Sequence, residues 1–435
     1  MENEKSKVID INRQNKPDVT YRFVKDMKME IKTYKNGVKR NENTVVIMLE
    51  QNKDGIIRRK MHPLTQYLLE PKKKGGKYSP ITQSNKASVI VKFLNYILID
   101  NSRRFKLKDF NEILFEHGCE FINSLPDVSD DTVDRYARYL TDFYYYLATY
   151  GLLKYITVDD FTFTKVNTPN GSREVIEVPF YDLDYGRKDD GTLIHKIPSP
   201  LIIPFLDTAI MHAPEIALGI CFQLFGGLRV GEVVNLKKSS VKVKGNLGEF
   251  GFILNLRNKN MRDDLKHPVA GGSVKKTRRQ AVFPFGGAMT QKIYKMHMKQ
   301  INPQNKQNAL FVNKDGNPMA DFTYRYYFSK VKNKFIERLK ESKHAELRHY
   351  AIELGTVRWS THIGRGTFSN IISNISENIL EIAQARGDDC LDSSLVYLTD
   401  SDKMAITLYD NDIEMWEMLN EIRKSMNTNN KGDKK

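Results

Sequence analysis

Between Leu224 and Leu236 the chain is almost wholly apolar, broken only by glycines, one asparagine, one arginine and one glutamate: Leu224-Phe225-Gly226-Gly227-Leu228-Arg229-Val230-Gly231-Glu232-Val233-Val234-Asn235-Leu236. Leu228, Val233 and Leu236 fall on one helical face, so the segment predicts a helix packed into a core, with Arg229 and Glu232 one turn apart. Taken alone, Arg229 would more often be a solvated surface arginine. Its apolar setting makes it a candidate for a dedicated role.

Further candidates follow downstream. His362 and Arg365 lie in Thr361-His362-Ile363-Gly364-Arg365-Gly366-Thr367-Phe368, and Tyr397 comes 32 residues after Arg365 in Ser393-Ser394-Leu395-Val396-Tyr397-Leu398. Two guanidiniums and a histidine can hold and neutralise a phosphate, because the guanidinium fork matches its oxygens bidentately. A tyrosine beside such a clamp can act as a nucleophile. The His-x-x-Arg pair decides nothing by itself, since about one sequence of this make-up in two carries one by chance.

The contexts decide. Gly-Gly-Leu-Arg-Val-Gly-Glu-Val-Val-Asn-Leu resembles the first arginine box of the tyrosine recombinases, the phage-integrase family, usually written Thr-Gly-Leu-Arg-x-x-Glu-Leu-x-x-Leu. Leu310-Phe311-Val312-Asn313-Lys314-Asp315-Gly316-Asn317-Pro318-Met319 is similar to the strand and turn before that family's second box. A decoy, His344-Ala345-Glu346-Leu347-Arg348-His349, has its histidine four residues before the arginine rather than three, and reads as an amphipathic helix with a basic face. The chain departs from the family pattern twice. Gly366 replaces the histidine that normally follows the second-box arginine. Asp388, in Arg386-Gly387-Asp388, stands nine residues before Tyr397, where the family's Leu-Gly-His pattern has a His or Trp. An aspartate there would repel a phosphate oxygen unless protonated or turned toward Arg386, which leaves a modified site or a decayed one.

The resemblance implies a mainly α fold with a small β-sheet: a helical core-binding domain plus a mixed α/β catalytic domain, forming a C-shaped clamp on DNA. It implies attack by the Tyr397 hydroxyl on a phosphodiester, giving a 3′-phosphotyrosine, with no need of ATP, metal or other cofactor. Arg229 and Arg365 would stabilise transition-state charge and His362 would donate a hydrogen bond or assist proton transfer. Glu232 would support Arg229 or cap its helix, and Asp388 is a possible catalytic residue. A lysine on a β-hairpin protonates the leaving oxygen in the family. Lys276, eight residues before Pro284, fits best here, with Lys275 next and Lys259 more remote. The implied partners are double-stranded DNA at specific sites, a homotetramer in the synaptic complex, and an accessory DNA-bending or excisionase protein.

Composition agrees with a polyanionic partner without requiring one. Lys and Arg number 68 against 53 Asp and Glu, a net charge of +15 with a pI near 9.3, which favours nucleic acid but equally fits simple solubility charge. Cys119, Cys221 and Cys390 are too widely spaced to suggest a disulfide framework or a zinc site. The charged opening Met1-Glu2-Asn3-Glu4-Lys5 is no signal peptide, and no run approaches the roughly 20 apolar residues that span a bilayer. A cytoplasmic protein with no membrane association is expected.

The organisation expected along the chain is a basic extension at 1–80, a possible small DNA-binding module or a solvated preface. A helical, SAM-like core-binding domain follows at 81–160, then a linker at 161–197, a catalytic domain at 198–425 and a disordered polar tail at 426–435. The extension carries 19 Lys and Arg against 10 Asp and Glu, whereas 81–160 has 9 against 12 and so lends the DNA reading no support by charge. Thr44–Leu49 and Ile56-Ile57, separated by Lys53-Asp54-Gly55, read as a hairpin. Helical spacing runs from 84 to 98 and from Asp130 through Leu147, and 250–285 reads as strands around a basic loop. The functional expectation is an integrase of a mobile element. The alternatives are an Xer-type dimer resolvase, a decayed DNA-binding relative, or a type IB topoisomerase.

Overall fold

In the computed structural model the Lys53-Asp54-Gly55 signal makes a tight turn, with Asp54 and Gly55 both at positive φ (53° and 78°), as hairpins of this kind demand. The description covers residues 19–388 apart from 34–36, 38, 71–77, 169–170, 187–193, 246–247, 258–259, 263, 266–271, 275, 302–304, 306 and 377–378. Tyr397, Lys275, Lys259, Cys390 and the 426–435 tail therefore lie outside the described residues. The chain divides into two compact units, Met1–Asp190 and Gly191–Lys435.

In the first unit, β1 (Val19–Thr33), β2 (Lys39–Lys53) and β3 (Ile56–Met61) form an antiparallel sheet in that order. Helices α1 (Thr65–Leu69), α2 (Pro80–Asn95), α3 (Ser102–Phe105), α4 (Phe115–Asn123) and α5 (Asp130–Thr149) follow, then a hairpin of β4 (Phe163–Thr168) and β5 (Gly171–Ile176). α2 starts cleanly because Ser79 accepts from the Thr82 N–H and Pro80 needs no donor partner in the first turn. The N-terminal sheet is not a detached preface. Phe23, Val45 and Ile47 join the same core as Phe93, Phe121 and Tyr144 of the helices. The buried Asn95 amide, at the end of α2, exchanges two 2.8 Å hydrogen bonds with the backbone of Phe23, so a side chain continues the ladder that β1 lacks on that edge.

The second unit is built around α7 (Pro214–Gly226), preceded by α6 (Ile202–His212) and followed by α8 (Val230–Val234). From Ile216 to Gly226 every α7 residue is buried, the mark of a helix enclosed on all sides. A three-stranded antiparallel sheet comes next: β6 (Val241–Gly245), β7 (Gly248–Leu256) and β8 (Arg278–Val282). Then come α9 (Gly287–Met296), α10 (Asp321–Lys340), α11 (Ala345–Thr356), α12 (His362–Ile375) and α13 (Ile379–Arg386). Phe205, Phe328, Phe335 and Trp359 interlock edge to face, with ring centroids 5.1–6.0 Å apart. Gln223 of α7 is a polar pin in this core: it accepts from the Tyr324 hydroxyl at 2.8 Å and donates to the Thr361 carbonyl at 3.2 Å, fixing the point where α12 begins. Among the described residues no helix is long and apolar enough to cross a membrane.

Candidate active site

The apolar run at Leu224 is not one helix. α7 stops at Gly227, whose φ of +63° reverses the chain; a Cβ there would also strike the Phe368 ring of α12. Arg229 then takes an extended conformation (φ −80°, ψ 153°) at the head of α8, and its backbone N–H donates to Glu232 Oε2 at 2.9 Å. The sequence placed Arg229 on the helix; the fold puts it at the start, its side chain 30% exposed and reaching Asp388.

Glu232 is 1% exposed and receives both terminal nitrogens of Arg278 from β8, at 2.6 and 3.1 Å. Burial pushes its carboxyl up, but the Arg278 hydrogen bond and charge, with the Arg229 N–H, outweigh that and hold it below the ordinary carboxylate range. Arg278 also donates to Gln280 Oε1 at 2.9 Å, and Gln280 donates to the Ala385 carbonyl of α13 at 2.6 Å. One chain of polar contacts thus links the first arginine box, the hairpin and α13. Arg278→Ala would strand a buried carboxylate and should lower unfolding stability by about 3–5 kcal/mol. Urea melts of the full chain check this, and wild-type stability in the variant would show that the pair carries no structural weight.

Arg365 lies on α12, its side chain 5% exposed. One terminal nitrogen donates to the Gly227 carbonyl and, at 3.3 Å, to the Arg386 carbonyl; the other donates to Asp388 Oδ1 at 2.6 Å. Arg229 donates to the same Asp388 oxygen at 3.1 Å, and Arg386 Nε lies 3.0 Å from Asp388 Oδ2. Three guanidiniums converge on one carboxylate that is itself 7% exposed. Burial, with Arg229 and Arg386 alongside, pushes the Arg365 guanidinium down to about 10, still cationic at neutral pH.

Gly366 has a steric cause. The backbone of His195 occupies the space that a Cβ at 366 would need, and the Ile197 N–H of the same strand of chain donates to Thr367 Oγ1 at 2.8 Å. No side chain fits there, so the histidine usual in the family is excluded by the segment leading into α6. The decoy resolves as a helix start: Arg348 donates to the carbonyls of Ser342 and Lys343 at 2.8 and 2.9 Å.

His362, one turn before Arg365, opens α12 with an exposed edge. Protein packed around its ring, then the charges of Arg325, Arg229 and Arg365, push its pKa below 6.5. Arg325 escaped the sequence reading. It donates to Asp321, four residues earlier on α10, and to Thr361 Oγ1 at 3.2 Å, and an i,i+4 pair on a helix reads as surface decoration. Arg278 escaped for a similar reason, since only tertiary contacts reveal its partner, whereas the expected pairing of Asp388 with Arg386 is present at 3.0 Å. Because the folded His362 is less basic than the unfolded one, its contribution to stability is complete above about pH 6.5 and declines as pH falls below it. Arg325→Met should raise the His362 pKa toward 6.5 in an NMR titration of the ring protons. An unchanged titration would remove Arg325 from its surroundings. Lys276 stands partly buried, two residues ahead of β8 and of the arginine that holds Glu232.

Residues 202–387 match the profile of the phage integrase family. No curated protein matches the chain in sequence. Among solved structures, the Tn1549 transposon integrase in complex with circular intermediate DNA is 14% identical, with a TM-score of 0.50 over 78% of this chain and 94% of that one. The XerH site-specific recombinase bound to palindromic difH substrate, in a post-cleavage complex, is 15% identical, with a TM-score of 0.49 over 73% and 76%. A paired-arginine pocket on this scaffold and the family match agree: residues 202–387 carry a domain of the phage integrase family, the enzymes known as tyrosine recombinases.

Proposed function

We propose that this recombinase cleaves and rejoins DNA at specific sites through a 3′-phosphotyrosine on Tyr397, and that it integrates or excises a mobile genetic element. One observation carries the chemistry. Arg229 and Arg365, 136 positions apart in sequence, deliver a terminal nitrogen each to one anionic oxygen, the arrangement that a non-bridging phosphate oxygen requires. In-line attack by the tyrosine hydroxyl would place negative charge on that oxygen, and preorganised guanidiniums stabilise it most in the transition state. His362, neutral at pH 7, can donate through one ring nitrogen while accepting through the other. Lys276 would protonate the 5′-oxygen as it leaves. The bond energy stays in the phosphotyrosine, so resealing needs no external energy source.

The basic N-terminal extension supports the mobile-element role over a chromosome-dimer resolvase. Double-stranded DNA, a homotetrameric synapse and an accessory DNA-bending or excisionase protein complete the reading. A second reading, a decayed relative that only binds DNA, draws on Asp388, whose carboxylate engages both paired arginines. Nicked duplexes drawn from the DNA flanking the gene separate the two. The recombinase reading expects a covalent adduct that survives denaturation, and absence of any adduct across both flanks overturns it. Recombination between two sites on one plasmid then distinguishes strand exchange from topoisomerase-like relaxation. For Lys276→Ala, a substrate with sulfur at the bridging 5′ position should restore cleavage, because a thiolate leaves without a proton. Failure of that rescue would reduce Lys276 to a phosphate contact.

A further inference from the structure

The Asp388 carboxylate lies among three arginines, with nitrogens of Arg229, Arg365 and Arg386 at 3.1, 2.6 and 3.0 Å from its oxygens. Arg365 has one terminal nitrogen engaged by two backbone carbonyls and the other by Asp388 Oδ1, within a side chain 5% exposed. The N–H that points at Asp388 is not open to an incoming phosphate oxygen while Asp388 holds it. Arg229, 30% exposed, forms the open side of the same seat. Arg386 and Asp388 stand two residues apart in Arg386-Gly387-Asp388, so the carboxylate has a cation beside it in the sequence. Arg386 is 4% exposed and approaches the other carboxylate oxygen, Oδ2, at 3.0 Å, in a geometry too bent for a hydrogen bond.

We propose that Asp388 gates the phosphate seat: in the free chain its carboxylate stands between Arg229 and Arg365 where the DNA phosphate belongs, the phosphate displaces it, and Arg386 remains its counter-ion afterwards. This rests on the proposed recombinase function, and makes Asp388 a positioning residue rather than a catalytic one. The gate favours ligands anchored by many other contacts. A small free anion must pull the carboxylate away unaided, whereas a DNA backbone already held by neighbouring phosphates presents its oxygen at high local concentration. The same contact keeps two guanidiniums aligned while the seat is empty of substrate, which limits the reorganisation needed when DNA arrives.

Inorganic phosphate is the probe, titrated calorimetrically into the full-length protein at constant ionic strength. Asp388→Asn keeps the shape and removes the charge, so it should bind phosphate on the order of tenfold more tightly than wild type or better, the scale of coupling between close charged groups. Adding Arg229→Ala to that variant should abolish the gain, which a merely structural aspartate would not predict. If Asp388→Asn does not fold, Asp388→Ser gives the same comparison. Wild-type binding that depends on Arg229 but is not tightened by loss of Asp388 overturns the gate and leaves the phosphate pocket standing. No Arg229-dependent phosphate binding in any variant overturns the gate and the pocket together.

Discussion

Tyr397→Phe should abolish the covalent protein–DNA adduct while leaving DNA affinity within about twofold of wild type, because the change removes one hydroxyl and no positive charge. The phenolic oxygen is the nucleophile in the proposed reaction, in which Arg229, Arg365, His362 and Lys276 serve as charge donors or proton carriers. The expected loss is complete within detection, unlike the partial losses that follow removal of a stabilising group. Denaturing gels on a nicked suicide duplex measure the adduct, and a gel-shift titration of the same duplex measures binding. A surviving adduct would move the nucleophile elsewhere, with Tyr409 the next tyrosine along the chain. Loss of binding together with cleavage would instead make Tyr397 a packing residue.

Much of the framework was legible because its signals are local. The hairpin turn at Asp54-Gly55, the α2 and α5 periodicities and the strands flanking the basic loop all depend on residues within a turn or two of one another. β1 was not legible. Its Arg-Phe-Val-Lys-Asp-Met-Lys pattern carries charges through the strand, and what makes it a strand is pairing with β2 and the Asn95 amide 72 residues away. The break at Gly227 was also hidden, since an apolar run at helical spacing looks the same whether it forms one helix or two short ones that share a core.

At the site, residue types and order were readable and partnerships were not. Glu232 was expected to serve Arg229, and it does accept the Arg229 backbone N–H, but its strongest contact is Arg278, 46 residues on. Asp388 was expected to repel phosphate or turn toward Arg386. It turns toward Arg229 and Arg365 as well, because three guanidiniums brought together from 229, 365 and 386 need an anion more than any one of them needs a particular partner.

That arrangement separates two substitutions which sequence alone treats as equivalent. Arg229→Ala and Arg365→Ala should each slow single-turnover cleavage by about two orders of magnitude or more, the usual effect of removing one preorganised donor from developing charge. Their effects on folding should differ. Arg229 is 30% exposed and its loss leaves Asp388 with two arginines, so the melting temperature should stay close to wild type. Arg365 is buried and ties the Gly227 carbonyl of the first box to the Arg386 carbonyl at the end of α13. Removing it unpairs two carbonyls and part of a buried carboxylate at once, which should cost about 3–5 kcal/mol. Cleavage by Arg365→Ala therefore has to be measured below its lowered melting temperature, alongside Arg365→Lys, which keeps the charge but loses the fork. Near-wild-type cleavage by a folded Arg229→Ala protein would break the phosphate clamp outright. Equal melting temperatures for the two alanine variants would show that the buried network around Arg365 is no stronger than the exposed edge at Arg229.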